Sequence, residues 1–379
     1  MDNLTHSLFA LTLARTPLGR AGRGTTAALL IASNAPDIDI VAAAGGAVSY
    51  LKWHRGPTHG PLGIVSLGVM TAGLVWAGRR VMDRRRSTAE ATAAANIDPD
   101  ASFGMLAAIS IIGVLLHVVM DLPTSYGTRL LSPFDWHWFA VDWMPIVDIY
   151  LLMVLVAGAM AFGRPLAGVR RRNAVIVLTL TAAIYGLRGY AHHQALELVP
   201  RVFGPTLAPW CDPAESRDRL IDSWPKERVP APPPEGRRCL LDVAALPTFG
   251  SPFQWRIVAQ YSNAYEIRDI DLLDGRFRQP DIESEAPWRL TLRYPNVWTP
   301  TVIQAARTPL GQVFLGFSRF PAARSAVDAR GATTVRWTDM RFAGAVIPGD
   351  QVLTRSNLFT AVIRIDGHGQ VIQETLGGR

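Results

Sequence analysis

Between His6 and Asp148 the chain repeatedly places histidine and aspartate in short motifs flanked by apolar residues. His6 stands in NLTHSL, Asp37 and Asp39 in SNAPDIDI, His54 and His59 in HRGPTHG, and His117 and Asp121 in HVVMD. Imidazole and carboxylate at the edge of a low-dielectric region are costly unless they pair with each other or hold a cation. His117 and Asp121 are four apart and share one helical face, the reach for sharing an ion or for the carboxylate to orient the imidazole. A plain histidine–aspartate hydrogen bond inside a bundle is the other reading of that pair.

His54 and His59 are five apart across Gly56 and Pro57, so no regular helix presents both on one face. A loop there would offer both rings at the mouth of the next apolar segment, with Thr58 or Gly60 as cap and Pro61 in the first turn. Asp37 and Asp39 point the same way only in broken or extended backbone, which Pro36 favours. One would bind metal and the other cap the following half-helix. Arg55 has the planar fork that suits phosphate or carboxylate, and equally suits an interfacial anchor.

The stretch SPFDWHWFAVDWMPIVDIYLL adds Asp135, His137, Asp142 and Asp148. Asp148 lies in an apolar run and needs a partner, with a metal, Arg129 or Arg188 as candidates. His137 between two tryptophans, and His192 and His193 at a segment exit, read as interfacial residues; His368 reads as a turn residue. The donor set favours zinc, with manganese or iron as alternatives, and such an ion acidifies a water for hydrolysis. No HExxH, Gly-x-Ser-x-Gly or P-loop motif offers a rival chemistry.

Membrane helices must position these groups. The 379 residues are 49% hydrophobic and 18% charged, with a mean hydropathy of +0.16. Four stretches approach the ~20 apolar residues of a span: 60–82, 104–123, 143–162 and 173–192. Two shorter segments, 4–14 and 25–48, precede them, the second broken around Pro36. No basic residue precedes the first apolar run and His6 interrupts it, so a retained N-terminus rather than a signal peptide is expected.

The net charge is +7, and every basic residue except Lys52 and Lys226 is arginine. Arg15, Arg20 and Arg23, then Arg79 to Arg86, then Arg164 to Arg172 occupy loops on one side, which the positive-inside rule makes cytoplasmic. The histidine loops and everything after residue 192 would face the periplasm. The arginines flank spans and lack interleaved aromatics, so no nucleic-acid partner is expected.

Beyond residue 197 the character changes. A proline- and charge-rich linker is expected over 197–238, and a β-rich extramembrane domain over 239–379 follows a membrane domain over 1–196. Strands are expected at 255–261, 289–294, 313–317, 334–341 and 358–365, the last opening a hairpin through Asp366-Gly367-His368-Gly369. Cys211 and Cys239 are the only cysteines. They form a bridge in an oxidising compartment or stay as two buried thiols.

NLTHSL, NAPDIDI, HRGPTHG and the block HVVMDLPTSYGTRLLSPF…DWMPIVDIYLL together resemble the bacterial family of LexA-regulated, inner-membrane-associated metal-dependent hydrolases, the YdjM type. The resemblance covers about residues 1–160 and implies a helical membrane protein. It puts His6, Asp37, Asp39, His54, His59, His117, Asp121, Asp142 and Asp148 at the motif positions. The HxxxD element is also similar, more partially, to zinc-dependent phospholipase C and related nucleases. Two departures bear on the substrate pocket: Gly60 stands where a serine commonly follows the second histidine, and Asp135-Trp136-His137-Trp138 replaces a more basic stretch.

The expected protein is therefore a mainly α integral-membrane bundle with a β-rich C-terminal domain, holding a divalent metal. The metal ligands would come from His6, Asp37, Asp39, His54, His59, His117 and Asp121. Asp39 or Asp142 would act as base, with Arg55 and Arg129 on the anion of a phosphoester or lipid-linked substrate. The rival reading is non-enzymatic: a structural metal or polar cluster with a partner-binding periplasmic domain. A proton-coupled transporter ranks third, since no inverted repeat is visible.

Overall fold

The structure, a computed structural model, describes residues 1–85, 99–161, 167–204, 207–211, 232–234, 238–274, 292–342 and 359–377. Most of the expected linker, with Arg86, Arg164 and Phe162, lies outside the described residues. The chain divides into two compact units: 1–40, 54–133 and 139–189 in the first, and 41–53, 134–138 and 190–379 in the second.

The first unit is helical. It contains α1 (Asn3–Leu13), α2 (Thr25–Ala32), α4 (Pro61–Arg85), α5 (Phe103–Asp121), α6 (Ile149–Ala161) and most of α7 (Ala167–Glu197). Asp2 caps α1 by accepting the Thr5 N–H at 2.9 Å, and Ser102 caps α5 by accepting from Met105. Four apolar stretches are long enough to cross a membrane: Thr25–Gly45, Pro61–Arg85, Phe103–Asp121 and Gly168–Glu197. Small residues let these helices approach, since a Cβ on Gly68 would lie 2.5 Å from Ile111. That is the packing expected where lipid removes the hydrophobic drive between helices.

The first of these stretches is broken, as Pro36 predicts: α2 stops at Ala32 and a 3-10 segment runs from Ala35 to Gly45. The expected span over 143–162 is corrected. Its helix begins only at Ile149, because Trp143 and Met144 donate their N–H groups to the Pro123 carbonyl and Asp148 caps the helix, accepting from Tyr150 and Leu151. The thirteen described residues of this helix rise about 20 Å.

Arginine closes one end of this bundle. Arg23 pairs with Asp83 at 2.6 Å, and Arg79 donates to the carbonyls of Arg23 and Ala101. The histidine motifs gather at the opposite end, where α1, α4 and α6 begin and α5 finishes.

The second unit includes α3 (Ala47–Trp53), the end of α7, α8 (Val199–Phe203) and a C-terminal domain of two antiparallel four-stranded sheets. The first sheet runs β1 (Leu240–Pro247), β2 (Gln254–Tyr261), β3 (Ala264–Asp271) and β4 (Leu292–Pro295). The second runs β5 (Pro321–Val327), β6 (Thr333–Asp339), β7 (Thr360–Ile365) and β8 (Val371–Leu376). The period-two pattern buries both faces of the first sheet. Trp255, Ile257, Ala259 and Ile270 pack with Ala191, Ala195, Val199 and Phe203, while Val258, Tyr265 and Ile267 pack with Phe320 and Met340.

The strand expected over 313–317 is instead the end of α10 (Pro309–Phe317), which follows α9 (Pro300–Ala306). Thr308 caps α10, Pro309 opens it, and Leu310, Val313, Phe314 and Phe317 repeat at helical spacing. The hairpin across Asp366–Gly369 joins β7 to β8.

Cys211 and Cys239 are bonded. Closing a loop of 28 residues restricts the unfolded chain, worth about 3 kcal/mol in the chain-entropy account. The Cys211→Ser/Cys239→Ser double variant is expected to lower the melting temperature of the β domain. An unchanged melt in circular dichroism would remove that role from the bridge.

A candidate metal centre at the end of the helical bundle

Asp37, His59, His117 and Asp121 each offer a donor atom within 4.8 Å of the others, the one such group of three or more among the described residues. They come from three places in the chain. The 3-10 segment supplies Asp37, the loop before α4 supplies His59, and the last turn of α5 supplies His117 and Asp121. His59, His117 and Asp121 are buried, and Asp37 is the one with an accessible edge.

The donor edges are short. His117 Nε2 lies 3.3 Å from Asp121 Oδ2 and 3.6 Å from Asp37 Oδ1. His59 Nε2 lies 3.5 Å from Asp121 Oδ2 and 3.9 Å from Asp37 Oδ1.

The tautomers follow from the partners. His117 Nδ1 is 2.8 Å from the Ser33 carbonyl, which can only accept, so Nδ1 carries a proton and, in the neutral ring, Nε2 is bare. The Thr58 hydroxyl gives its proton to Asp39 Oδ2 at 2.9 Å, so it accepts from His59 Nδ1 at 3.0 Å and leaves His59 Nε2 bare as well. The two bare Nε2 atoms face each other at 3.3 Å. Lone pairs so placed repel unless a proton or a metal cation lies between them, and ~2.0–2.1 Å metal bonds at a tetrahedral angle span nearly this separation. Asp121 Oδ2 accepts no hydrogen bond although it is buried, with the Arg55 guanidinium 3.2 Å away. Bare nitrogens and an orphaned carboxylate oxygen are the donor set a divalent ion takes, so these four residues could hold a metal ion.

Asp39 and His54 stand outside this group. A 3-10 turn holds three residues, so side chains two apart diverge. Asp39 therefore faces the histidine loop, accepting from His54 Nδ1 at 2.8 Å, the Arg55 N–H at 2.7 Å and Thr58 Oγ1. His6 lies beside the group: its ring stacks on His117 at 3.9 Å, its Nε2 is 3.4 Å from Asp121 Oδ1, and neither nitrogen makes a hydrogen bond. The Met1 amino group also contacts Asp121 Oδ1.

Arg55 lies over the Tyr126 ring and donates to the Gly127 carbonyl. Arg129 is fully buried, and its N–H donates to the Arg55 carbonyl at 2.9 Å. Asp142 is buried in the loop before α6. Among the described residues, Arg55 and Asp142 are the two non-glycine residues at positive φ, 52° and 63°, and such backbone is retained where the surroundings enforce it. Asp148 pairs with Arg188, not with the cluster, at 2.6 and 2.9 Å. Asp135 and His137 belong to the second unit, where Asp135 Oδ1 accepts the His137 N–H.

Thr58 is the positioning residue that the expected capping role conceals; its signal is a hydroxyl directly before a histidine. Ser33 acts through its carbonyl, which no side-chain pattern reveals.

Burial pushes the imidazoles of His59 and His6 well below the ordinary histidine value, chiefly by desolvation, with the positive charges around them adding to it. Below about pH 6.5 the unfolded chain gains protons that the folded site refuses, so stability falls as pH falls. Thermal melts of metal-stripped protein at pH 5 and 7.5 should separate, and His59→Gln should narrow the gap.

Gly60 has a structural cause. A Cβ there would lie 1.7 Å from the Ser132 carbonyl oxygen. Gly60→Ala should therefore displace the His59 loop, lowering stability by about 1–3 kcal/mol and weakening metal retention. A variant with wild-type melting and metal content would contradict this.

With the geometry in place, comparison assigns the chain. The profile of the YdjM inner membrane protein family matches residues 1–195. The chain belongs to that family. Its match includes all four clustered residues and the helices that carry them. The uncharacterized protein YfhP of Bacillus subtilis (strain 168) is 24% identical over 269 residues, covering 65% of this chain and 76% of that protein. No solved structure matches. Family and apolar helices together make this YdjM-family chain a membrane protein.

Proposed function

We propose that this protein is a membrane-bound, divalent-metal-dependent hydrolase of a phosphoester or lipid-linked substrate. The observation that carries the reading is the pair of bare Nε2 atoms facing each other beside the orphaned Asp121 Oδ2. Asp37, His59, His117 and Asp121 would hold the ion, and zinc suits two imidazoles and two carboxylates best. When bound, a divalent cation supplies Lewis acidity and lowers the pKa of a water molecule.

The chain's own residues divide the remaining work. Asp39, with Thr58, fixes the His59 tautomer, and His54 braces Asp39. His6 holds the His117 ring by stacking. Arg55 places positive charge 3.2 Å from Asp121, where a substrate anion would approach, and Arg129 positions the Arg55 backbone. Asp37, half of whose carboxylate would remain after one oxygen is given to the ion, has the accessible edge to take a proton from attacking water, a role expected of Asp39 or Asp142 from sequence. The site end lies opposite the arginine-rich end, so the positive-inside rule puts the chemistry on the periplasmic face.

The burial of His59, His117 and Asp121 favours a second reading, a structural metal that staples the bundle. Elemental analysis of detergent-purified protein, followed by a phosphodiesterase and phospholipase screen, separates the two. Under the first reading His117→Ala loses metal and activity together. Metal-dependent stability with no hydrolysis of any phosphoester favours the staple, and a folded wild type that never retains metal overturns both.

A further inference from the structure

The end of α7 carries a second feature that the metal site does not use. Arg170, Arg171 and Arg172 flank the start of the apolar stretch of this helix, and by the length rule ~20 residues onward would reach the far interface, at Tyr190 to His192. Within the second unit, the first sheet lies along this end of the chain. Arg268 near the middle of β3 bonds to the Val202 carbonyl, while Phe253, Leu272 and Leu273 meet Tyr190, Gln194 and Leu198 around a groove of about 390 Å³. Within this unit, the turn before β2 and the turn after β3 therefore lie at the Tyr190 end of α7. The Leu272 N–H donating to the Phe253 carbonyl at 2.9 Å ties the two turns together.

These turns are apolar where soluble turns are polar. Phe249 is 57% exposed and Leu273 63% exposed, beside Tyr190 at 65%. Large apolar side chains held in the open at two adjoining tips mark a contact surface. Here the neighbouring medium is set by α7, a membrane-crossing helix. Tyrosine at the headgroup level and aromatic or aliphatic tips below it form the pattern of interfacial insertion.

We infer that the turns carrying Phe249 and Leu273 insert into the lipid interface beside α7. The β domain is then held against the bilayer by its own loops as well as by its covalent link to the helix. This inference is independent of metal binding and of hydrolysis.

The test uses the full chain in phosphatidylcholine–phosphatidylglycerol vesicles. Cys211 and Cys239 are bonded to each other, so a single introduced cysteine can be labelled with an environment-sensitive nitrobenzoxadiazole dye. Phe249→Cys and Leu273→Cys replace exposed side chains, and Val371→Cys on β8, 44% exposed, is the control. Labels at 249 and 273 should emit to the blue of the control and be quenched several-fold more strongly by doxyl-lipids. Water-like emission at both tips overturns the inference. So does shielding without doxyl quenching, which would mean a protein cover such as a second copy, and so does equal quenching at 371.

Discussion

Asp121→Asn should abolish metal retention, weakening affinity by more than about 100-fold, because it replaces one oxygen of a buried anionic ligand with a neutral amide. Loss of an outer partner typically costs 10–100-fold, and a direct ligand exceeds that. Asp121 Oδ2 is the point nearest to both bare imidazole nitrogens, 3.3 Å from His117 and 3.5 Å from His59. The variant also removes the negative charge that Arg55 faces at 3.2 Å. His54→Ala is the matched control: His54 braces Asp39 at 2.8 Å, and the variant should reduce affinity within the 10–100-fold range of an outer partner. Titration of chelator-stripped protein with zinc, read by calorimetry, checks both. Equal affinities for Asp121→Asn and wild type would dismantle the proposed centre.

Arg188→Ala should destabilise the helical unit by about 3–5 kcal/mol, the effect of stranding a buried partner. Asp148 and Arg188 are both buried and joined by two hydrogen bonds, and Asp148 uses its other oxygen to cap α6. The double variant Asp148→Asn/Arg188→Met should recover most of that loss, since it leaves no buried charge while keeping a capping oxygen. Melting followed in detergent distinguishes the cases, and metal content should remain as in wild type for the double variant. A single variant as stable as wild type would mean that water already reaches the pair.

Several features are legible in the residues alone. Apolar stretches of span length, an arginine-rich flank and alternating runs beyond residue 240 give a helical membrane bundle with a β-rich C-terminal domain. HVVMD places two donors on one helical face because the helix repeat is local. Pro36 foretells the break between α2 and the 3-10 segment. Local rules also mislead where tertiary pairing intervenes. The 143–162 run is apolar enough to span, yet Trp143 and Met144 are claimed by the Pro123 carbonyl, and the helix starts late. The run at 313–317 is apolar in either secondary structure, and the decisive cap, Thr308 with Pro309, lies upstream of it.

By itself, the sequence determined which residue types were available for a metal and which segments were apolar enough to carry them. Only the tertiary structure decided which aspartate joins the cluster. Asp37 and Asp39 are chemically identical and two residues apart, and the turn of a 3-10 helix sends one toward His117 and the other toward Thr58. It likewise chose Arg188 over Arg129 for Asp148, and left His117 Nε2 bare through a carbonyl 84 residues away in the chain. Such choices depend on distances between segments remote in sequence, which no local pattern of residues encodes.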